Sequence, residues 1–307
     1  MRKIKGYFMK LQPLFKWTGG KNRMREVYNG KFFPNRAFTR FVDAFYGAGA
    51  ITHWVLDEYP DTEEFVINDF NAEVVDMYEQ LRDNTNEFVE RTIELEAKYL
   101  EIDGVESRKA FYNKLKMMHI NDYKTQGKLV TAVNLHFMLK TNFNGWWKIY
   151  NYSNGRYATP PGVMNQKKRF ININNLRNTG NFFRNRCVIL CGDFQNTTQS
   201  YVDDKTFIYF DPPYRDSTTK YTEGDFLEED QIRLCKYFDW CVSDKGALAA
   251  LSNKEIGDGF FETHLGNYCL HKMEAKYTAG RGTTLNKVYE ILVTSYDNQN
   301  NGILDLL

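Results

Sequence analysis

Short apolar runs alternate with amphipathic stretches at both ends of the chain, the strand–turn–helix rhythm of an α/β sheet. Arg40 to Phe45 predicts a strand, followed by a glycine turn and a helix from about Ala50 to Glu58. Glu64 to Ile67 predicts a second strand, ending at Asn68-Asp69. Later strands are predicted over Val188 to Cys191, Phe207 to Phe210, Ala247 to Leu251 and Val288 to Ser295, with a helix over Glu228 to Ser243. Between these ends the period changes. From about Asn71 to Tyr123 apolar residues such as Val74, Val75, Tyr78 and Leu81 recur at helical spacing, and Leu129 to Leu139 continues as an apolar helix. An aromatic, basic, Gly-rich segment follows from Asn144 to Gly162, where Ser153-Asn154-Gly155 predicts a hairpin tip. The expected organisation is one α/β unit from residues 1–71 and 171–307, carrying a helical and hairpin insertion over 72–170.

Composition adds bounds. Hydrophobic residues make up 42% and charged residues 26%, an ordinary globular balance. No stretch has the apolar length of a membrane span, and the basic start, Met1 to Lys10, lacks the apolar run of a signal peptide. A cytoplasmic protein with no membrane partner is expected. The five cysteines form no C-x-x-C pair, and Cys187 and Cys191 flank a run that reads as a buried strand, so reduced core thiols are expected. His53, His119, His136, His264 and His271 are scattered without ligand spacing, and no metal is expected.

Charge changes the picture through its distribution. The net charge is only +1, yet the 70 residues from Tyr123 to Gly192 contain no Asp or Glu. They carry eleven cations: Lys124, Lys128, Lys140, Lys148, Arg156, Lys167, Lys168, Arg169, Arg177, Arg184 and Arg186. Removing those from the 40 basic residues leaves 29 against 39 acidic ones, so a positive face on an acidic body is expected. A charge run is often a solvated loop. Here it is interleaved with Phe143, Trp146, Trp147, Tyr150, Tyr152, Tyr157 and many asparagines. Cations hold phosphates, aromatic faces stack on bases and amides read base edges, which points to nucleic acid.

Two motifs carry chemistry. Phe45-Tyr46-Gly47-Ala48-Gly49 lies where a strand passes into a helix, so the backbone can approach a ligand closely. A tight turn without a ligand is the bland alternative. Asp69, at the end of the next strand, is placed to accept from ribose hydroxyls, which favours a nucleoside cofactor. Thr52 stands where the third glycine of a dinucleotide fingerprint belongs, which favours S-adenosylmethionine (AdoMet) over a pyrophosphate. Asp211-Pro212-Pro213-Tyr214 directly follows a strand, and two prolines stiffen this corner at the ligand-binding edge of the sheet. An adenine amine is a poor nucleophile because its lone pair is delocalised into the ring. Hydrogen bonds from N6 to the Asp211 carboxylate and the Pro212 carbonyl favour a pyramidal nitrogen and stabilise the positive charge that develops. Tyr214 is placed to stack on the extruded base. A merely rigid turn is the alternative.

In these residues the chain resembles the Dam family of DNA adenine-N6 methyltransferases, with cofactor motif first, recognition domain second and catalytic tetrapeptide last. Phe15-Lys16-Trp17-Thr18-Gly19-Gly20-Lys21 is similar to the family's N-terminal Lys-Trp-Ala-Gly-Gly-Lys motif, with Thr18 in place of alanine. Asn144-Gly145 and the segment Gly155 to Gly162 resemble its recognition hairpin, and Leu251-Ser252-Asn253 and Asn286 to Tyr296 are also similar. The resemblance implies a Rossmann-like AdoMet-dependent methyltransferase sheet with an inserted helical and β-hairpin DNA-recognition domain, acting on double-stranded DNA as a monomer. It implies that Trp17, Lys21, Phe45, Gly47, Gly49, Asp69 and Asp211 line the cofactor site, Trp17 near the methionine part and Lys21 neutralising negative charge. On composition alone Trp17 reads as a core aromatic and Lys21 as a surface charge. Asp193 and Phe194 fall where the family surrounds the cofactor's adenine, although Phe194 also reads as plain core. Lys16, Lys140, Asn144, Trp146, Lys148, Arg156 and Pro160 are the implied DNA contacts.

The recognition hairpin departs from the family pattern. Lys148 replaces an arginine, Trp146 an intercalating leucine and Ala158 an asparagine. Lysine lacks the fork that pairs with guanine, so the family's usual GATC site is not implied. RNA adenine methylation and DNA binding without catalysis stand as alternatives. The second should have lost Asp211 or the glycine turn, and both are intact. A nicotinamide-dependent oxidoreductase would want a fuller glycine fingerprint.

Overall fold

The computed structural model describes residues 10–17, 19–21, 24–122, 125, 127–145, 147, 149–152, 155–157, 159–162, 164–215, 226–275 and 288–298, with the backbone alone at 121–122, 144, 149–152, 155–157, 275 and 288. A short helix α1 (Arg25–Tyr28) precedes strand β1 (Arg40–Asp43), helix α2 (Ala50–Glu58) and strand β2 (Glu64–Asp69). Four helices follow: α3 (Ala72–Asp83), α4 (Thr85–Glu101), α5 (Val105–Asp122) and α6 (Lys128–Thr141). A hairpin of β3 (Ile149–Tyr152) and β4 (Gly155–Tyr157) leads through an irregular stretch to α7 (Ile173–Arg186) and β5 (Cys187–Cys191). The chain closes with α8 (Phe194–Thr198), β6 (Thr206–Phe210), α9 (Glu228–Ser243), β7 (Leu248–Glu255), α10 (Phe260–Leu265), β8 (Cys269–Ala275) and β9 (Val288–Thr294).

Seven strands form one sheet in the order β5-β2-β1-β6-β7-β9-β8. The pairs from β5 to β7 are parallel, and β9 runs antiparallel between β7 and β8. Strand β6 is buried throughout, as an apolar run covered on both faces should be. Alternation along the strands divides the core. Phe41, Phe65, Ile67, Phe207 and Tyr209 point toward α2, α3, α6 and α7, whereas Val42, Val66, Ile208 and Phe210 face α9 and α10. Phe207 is fully buried among Phe32, Phe38 and Phe41, and truncating such a side chain costs about 3–5 kcal/mol.

The topology matters for function because chain order reverses between β1 and β6. From β1 the chain builds outward to β2 and β5, and from β6 to β7 and beyond. Such a switch point opens a crevice at the carboxyl ends of the strands. The turn after β1, Asp69 at the end of β2 and Asp211 after β6 all lie along that edge.

Several expectations change in detail. The first strand ends at Asp43, and Ala44 and Phe45 already belong to the turn. The predicted helical region is three helices, interrupted at Asn84 and at Gly104, whose φ of 82° breaks the spiral. Helices α7 and α10 and strand β8 were not anticipated. The cysteine-flanked strand β5 is an edge strand, so its residues are partly exposed and Cys191 is an exposed rather than a core thiol. None of the five cysteines forms a disulfide. Among the described residues, no helix is long and apolar enough to cross a membrane and no group of acidic, His and Cys side chains could hold a metal ion.

Candidate active site

The glycine turn is built first. Gly47 and Gly49 have φ of 52° and 80°, left-handed values that glycine adopts without strain. Asp69 accepts from the Gly47 N–H at 2.8 Å through Oδ2 and from the Asn71 N–H at 2.9 Å through Oδ1, so both carboxylate oxygens are oriented. Burial pushes this carboxyl up, and the backbone N–H groups of Asn71, Gly47 and Phe70 oppose that rise. Asn71 in turn caps α3 through Glu73 and Val74. The indole of Trp17 packs against the turn so closely that a Cβ on Gly47 would lie 3.1 Å from its ring. Beneath the turn lies a residue the sequence reading passed over, Asp43, which accepts from the Thr52 hydroxyl at 2.8 Å.

At the neighbouring strand end, Asp211 is held from two sides. The Lys21 ammonium, 3% exposed, donates to its two oxygens at 2.7 and 2.8 Å and to the Gly19 carbonyl at 3.0 Å. Ser252 donates to Oδ1 at 3.0 Å and sits 2.6 Å from the Tyr209 hydroxyl. Lys21 also lies 4.7 Å from the centre of the Tyr214 ring. Removing either partner from so enclosed an ion pair leaves an uncompensated charge, a cost of about 3–5 kcal/mol. The structure thus brings Trp17 and Lys21 to the glycine turn and to Asp211, across 190 residues in the latter case. Glu290 on β9 lies within electrostatic reach of Lys21 and Asp211; it accepts from Tyr28 at 2.8 Å, and burial pushes its carboxyl up.

The corner after Asp211 is pinned by residues absent from the sequence reading. Gln231 on α9 donates to the Pro213 carbonyl at 2.8 Å. The Arg215 side chain pairs with Asp258 at 2.6 Å and with Glu228 at 3.2 Å, 3.9 Å from the Phe260 ring centre. Gln231 was findable: it lies on the face of α9 that buries Leu234, Cys235 and Phe238, and a polar side chain there needs a purpose.

Asp193 and Phe194 lie beyond β5, and both are largely engaged by the protein itself. Asp193 caps α8 and receives both guanidinium nitrogens of Arg233, at 2.9 and 2.8 Å, which outweighs burial and holds its carboxyl below the usual range. Phe194 is 3% exposed and stacks on Phe45 at 5.3 Å. Phe70, directly after Asp69, is by contrast 56% exposed at the mouth of the crevice.

The expected DNA contacts are only partly described. Trp146 and Lys148 lie outside the described residues, and of Asn144 and Arg156 only the backbone is described. Pro160 accepts from the Phe143 N–H at 3.0 Å, closing the base of the hairpin. Gly145 packs there on the backbone of Lys16; a Cβ would lie 2.7 Å from the Lys16 carbonyl oxygen. Lys140 is half-buried, and burial together with neighbouring Lys16 pushes its ammonium down. Lys16 and the run Lys167, Lys168 and Arg169 are exposed. Two other cations of the acid-free stretch do not join a common face. Arg184 and Arg186 donate to backbone carbonyls of Arg82, Pro60 and Thr62 near the amino end of β5, far along the strands from Asp211.

A switch-point sheet with a glycine turn, a strand-end acid and an Asp-Pro-Pro-Tyr corner along one edge defines a Rossmann-like, AdoMet-dependent methyltransferase. The model of the D12 class N6 adenine-specific DNA methyltransferases matches residues 17–280, and the chain belongs to that family. It is 29% identical to the Type II methyltransferase M.MjaIII of Methanocaldococcus jannaschii, over 94% of this chain and 100% of the relative. It is also 29% identical to the Type II methyltransferase M1.LlaDCHI of Lactococcus lactis subsp. cremoris, over 94% and 96%. A DNA adenine methylase of Haemophilus influenzae is 25% identical over 67% of this chain and 65% of the relative. The protein methylates adenine in DNA, with AdoMet as methyl donor.

Proposed function

We propose that this enzyme is a site-specific methyltransferase that acts in the cytoplasm as a monomer on one adenine turned out of duplex DNA. The observation that carries the reading is the placement of Asp211, on the ligand-binding edge beside the glycine turn, with Lys21 and Ser252 holding its carboxylate. Among the described residues, Oδ1 accepts from both partners, whereas Oδ2 accepts from Lys21 alone and keeps a lone pair. Oδ2 is therefore the oxygen that receives one N6 hydrogen, and the Pro212 carbonyl receives the other. Both acceptors are set before the base arrives, so the positive charge that grows on N6 meets dipoles that need not reorganise. Tyr214 stacks on the extruded base, offsetting the few kcal/mol of lost stacking and pairing.

The residues fit AdoMet. Gly47, at a φ of 52°, lets the turn lie against the Trp17 indole with no side chain between. Asp69 presents a carboxylate oriented by backbone N–H groups to the ribose hydroxyls, and Phe70, largely exposed, offers an aromatic face beside it. Bound there, AdoMet supplies a methyl group on a sulfonium, open to attack by an amine. Trp17, Lys21, Phe45, Gly49 and Asp211 complete the pocket, and Phe194 supports it from behind through Phe45. Asp193 serves through its pairing with Arg233, which fixes the start of α8.

DNA is gripped by the module over about residues 72–170. Lys16 and Lys140, two cations close enough to oppose each other's charge, await a phosphate. Asn144, Trp146, Lys148, Arg156 and Pro160 belong to the hairpin that probes base edges. Replacing Asp211 by Ala tests the reading: methyl transfer to duplex DNA should vanish while folding and DNA binding persist. Turnover within tenfold of the wild type would remove Asp211 from its role.

A further inference from the structure

Two buried amides stand behind the catalytic corner. Gln231 is 3% exposed and Asn253 is fully buried. Asn253 Oδ1 accepts from the backbone N–H of Arg215 at 3.0 Å and from that of Lys254 at 2.8 Å. Its amide nitrogen must then be the donor to Gln231 Oε1, at 3.0 Å. That leaves the Gln231 nitrogen to donate to the Pro213 carbonyl, at 2.8 Å. Each amide has one permitted orientation, because the chain of bonds begins at backbone N–H groups and ends at a backbone carbonyl.

The corner needs such a fixture. Proline rings set φ at 212 and 213, so the freedom left near the reacting oxygens is mainly rotation about ψ at 211, 212 and 213. Gln231 holds the peptide after Pro213, and Asn253 holds the one after Tyr214. With the far side pinned, ψ at 212 is fixed as well, and with it the direction of the Pro212 carbonyl and the plane of Tyr214. We infer that Gln231 and Asn253 are positioning residues for methyl transfer, an oriented amide relay that aims the Pro212 carbonyl and Tyr214 at the target base. This inference rests on the role proposed for the corner. The relay touches neither the glycine turn nor the cation-rich surface, so it should govern the chemical step and leave both affinities alone.

Gln231→Glu keeps the shape of the side chain and makes the donor titratable. Ionised, it sets a carboxylate oxygen against the Pro213 carbonyl; protonated, it restores an O–H donor. Burial raises the pKa of such a group. Single-turnover methyl transfer, as a ratio to wild type at each pH, should fall at least tenfold between pH 6 and pH 9. Affinities for AdoMet and for duplex DNA should stay within about threefold. Gln231→Met, which has no donor at any pH, should be depressed equally across the range. Asn253→Asp serves if the first variant does not fold: it keeps the acceptor for Arg215 and Lys254 and should show the same pH-dependent fall. A ratio that does not vary with pH, or a loss of affinity parallel to the loss of rate, overturns the relay. Asp211→Asn run alongside separates the two ideas. If it is inactive and the relay variants behave as wild type, the relay alone is wrong; if it retains full rate, the assignment of the corner itself fails.

Discussion

Replacing Asp43 by Asn should stabilise the cofactor-free protein, and by more at pH 8 than at pH 5. Asp43 ends β1 beneath the glycine turn and is 2% exposed. Burial pushes its carboxyl up to about 7; the Thr52 hydroxyl pulls the other way and the nearby Asp211 charge adds to the rise. An unfolded aspartate ionises near its ordinary 3.8, so the folded chain holds this proton across a window from about 4 to about 7. The stability of the neutral group is fully present below that window and is lost as pH rises through it. By linkage the ionised carboxylate costs at most about 4 kcal/mol above the window, and relaxation reduces this to about 2–3 kcal/mol. Asparagine keeps an oxygen for Thr52 and carries no charge. For a chain of this length the gain corresponds to a melting temperature about 3–6 °C higher at pH 8, and less than half of that at pH 5. Thermal unfolding of both proteins at the two pH values is the assay. An equal difference at both, or a variant that melts lower at pH 8, would refute the reasoning.

Two further outcomes test the ligand sites. Gly47→Ala places a methyl group 3.1 Å from the Trp17 ring at a φ of 52°. The strained backbone costs about 1–2 kcal/mol and the indole must move, so calorimetric titration should show AdoMet binding weakened about tenfold with DNA affinity kept; unchanged AdoMet affinity would contradict the turn's role. Affinity for duplex DNA should fall steeply with salt, and replacing the exposed Lys167, Lys168 and Arg169 by Gln should flatten the log–log slope by about 2–3. A slope unchanged by those substitutions would place the phosphate contacts elsewhere.

Where the local pattern and the tertiary environment agree, the sequence was readable. The central strands are uninterrupted apolar runs, and the glycine turn, Asp69 and Asp211 follow them directly, so both halves of the crevice could be located. Helix α7 was hidden because its fourteen residues include Asn175, Asn178 and Gly180, poor helix formers. Gly180 is there for packing: a Cβ would lie 2.6 Å from the Thr85 hydroxyl and 2.9 Å from the Leu81 carbonyl oxygen, where α3 meets α4. Burial of Leu176, Phe182 and Phe183 stabilises the helix despite its composition. Strand β8 carries an outer-edge pattern, Cys269-Leu270-His271-Lys272, whose strand character depends on pairing with β9. The pairing of Lys21 with Asp211 joins residues far apart in the chain; family resemblance placed both at the cofactor site, but neither it nor spacing paired them. The charge run misled in part, because Arg184 and Arg186 serve backbone carbonyls.

The measurement nearest to the central claim is to express the protein in a host free of DNA methylation and map modified bases across the genome. N6-methyladenine should appear at a single short sequence motif, and only when Asp211 is present. Unmodified DNA from cells that contain folded wild-type enzyme, or methyl groups on cytosine, would contradict the account.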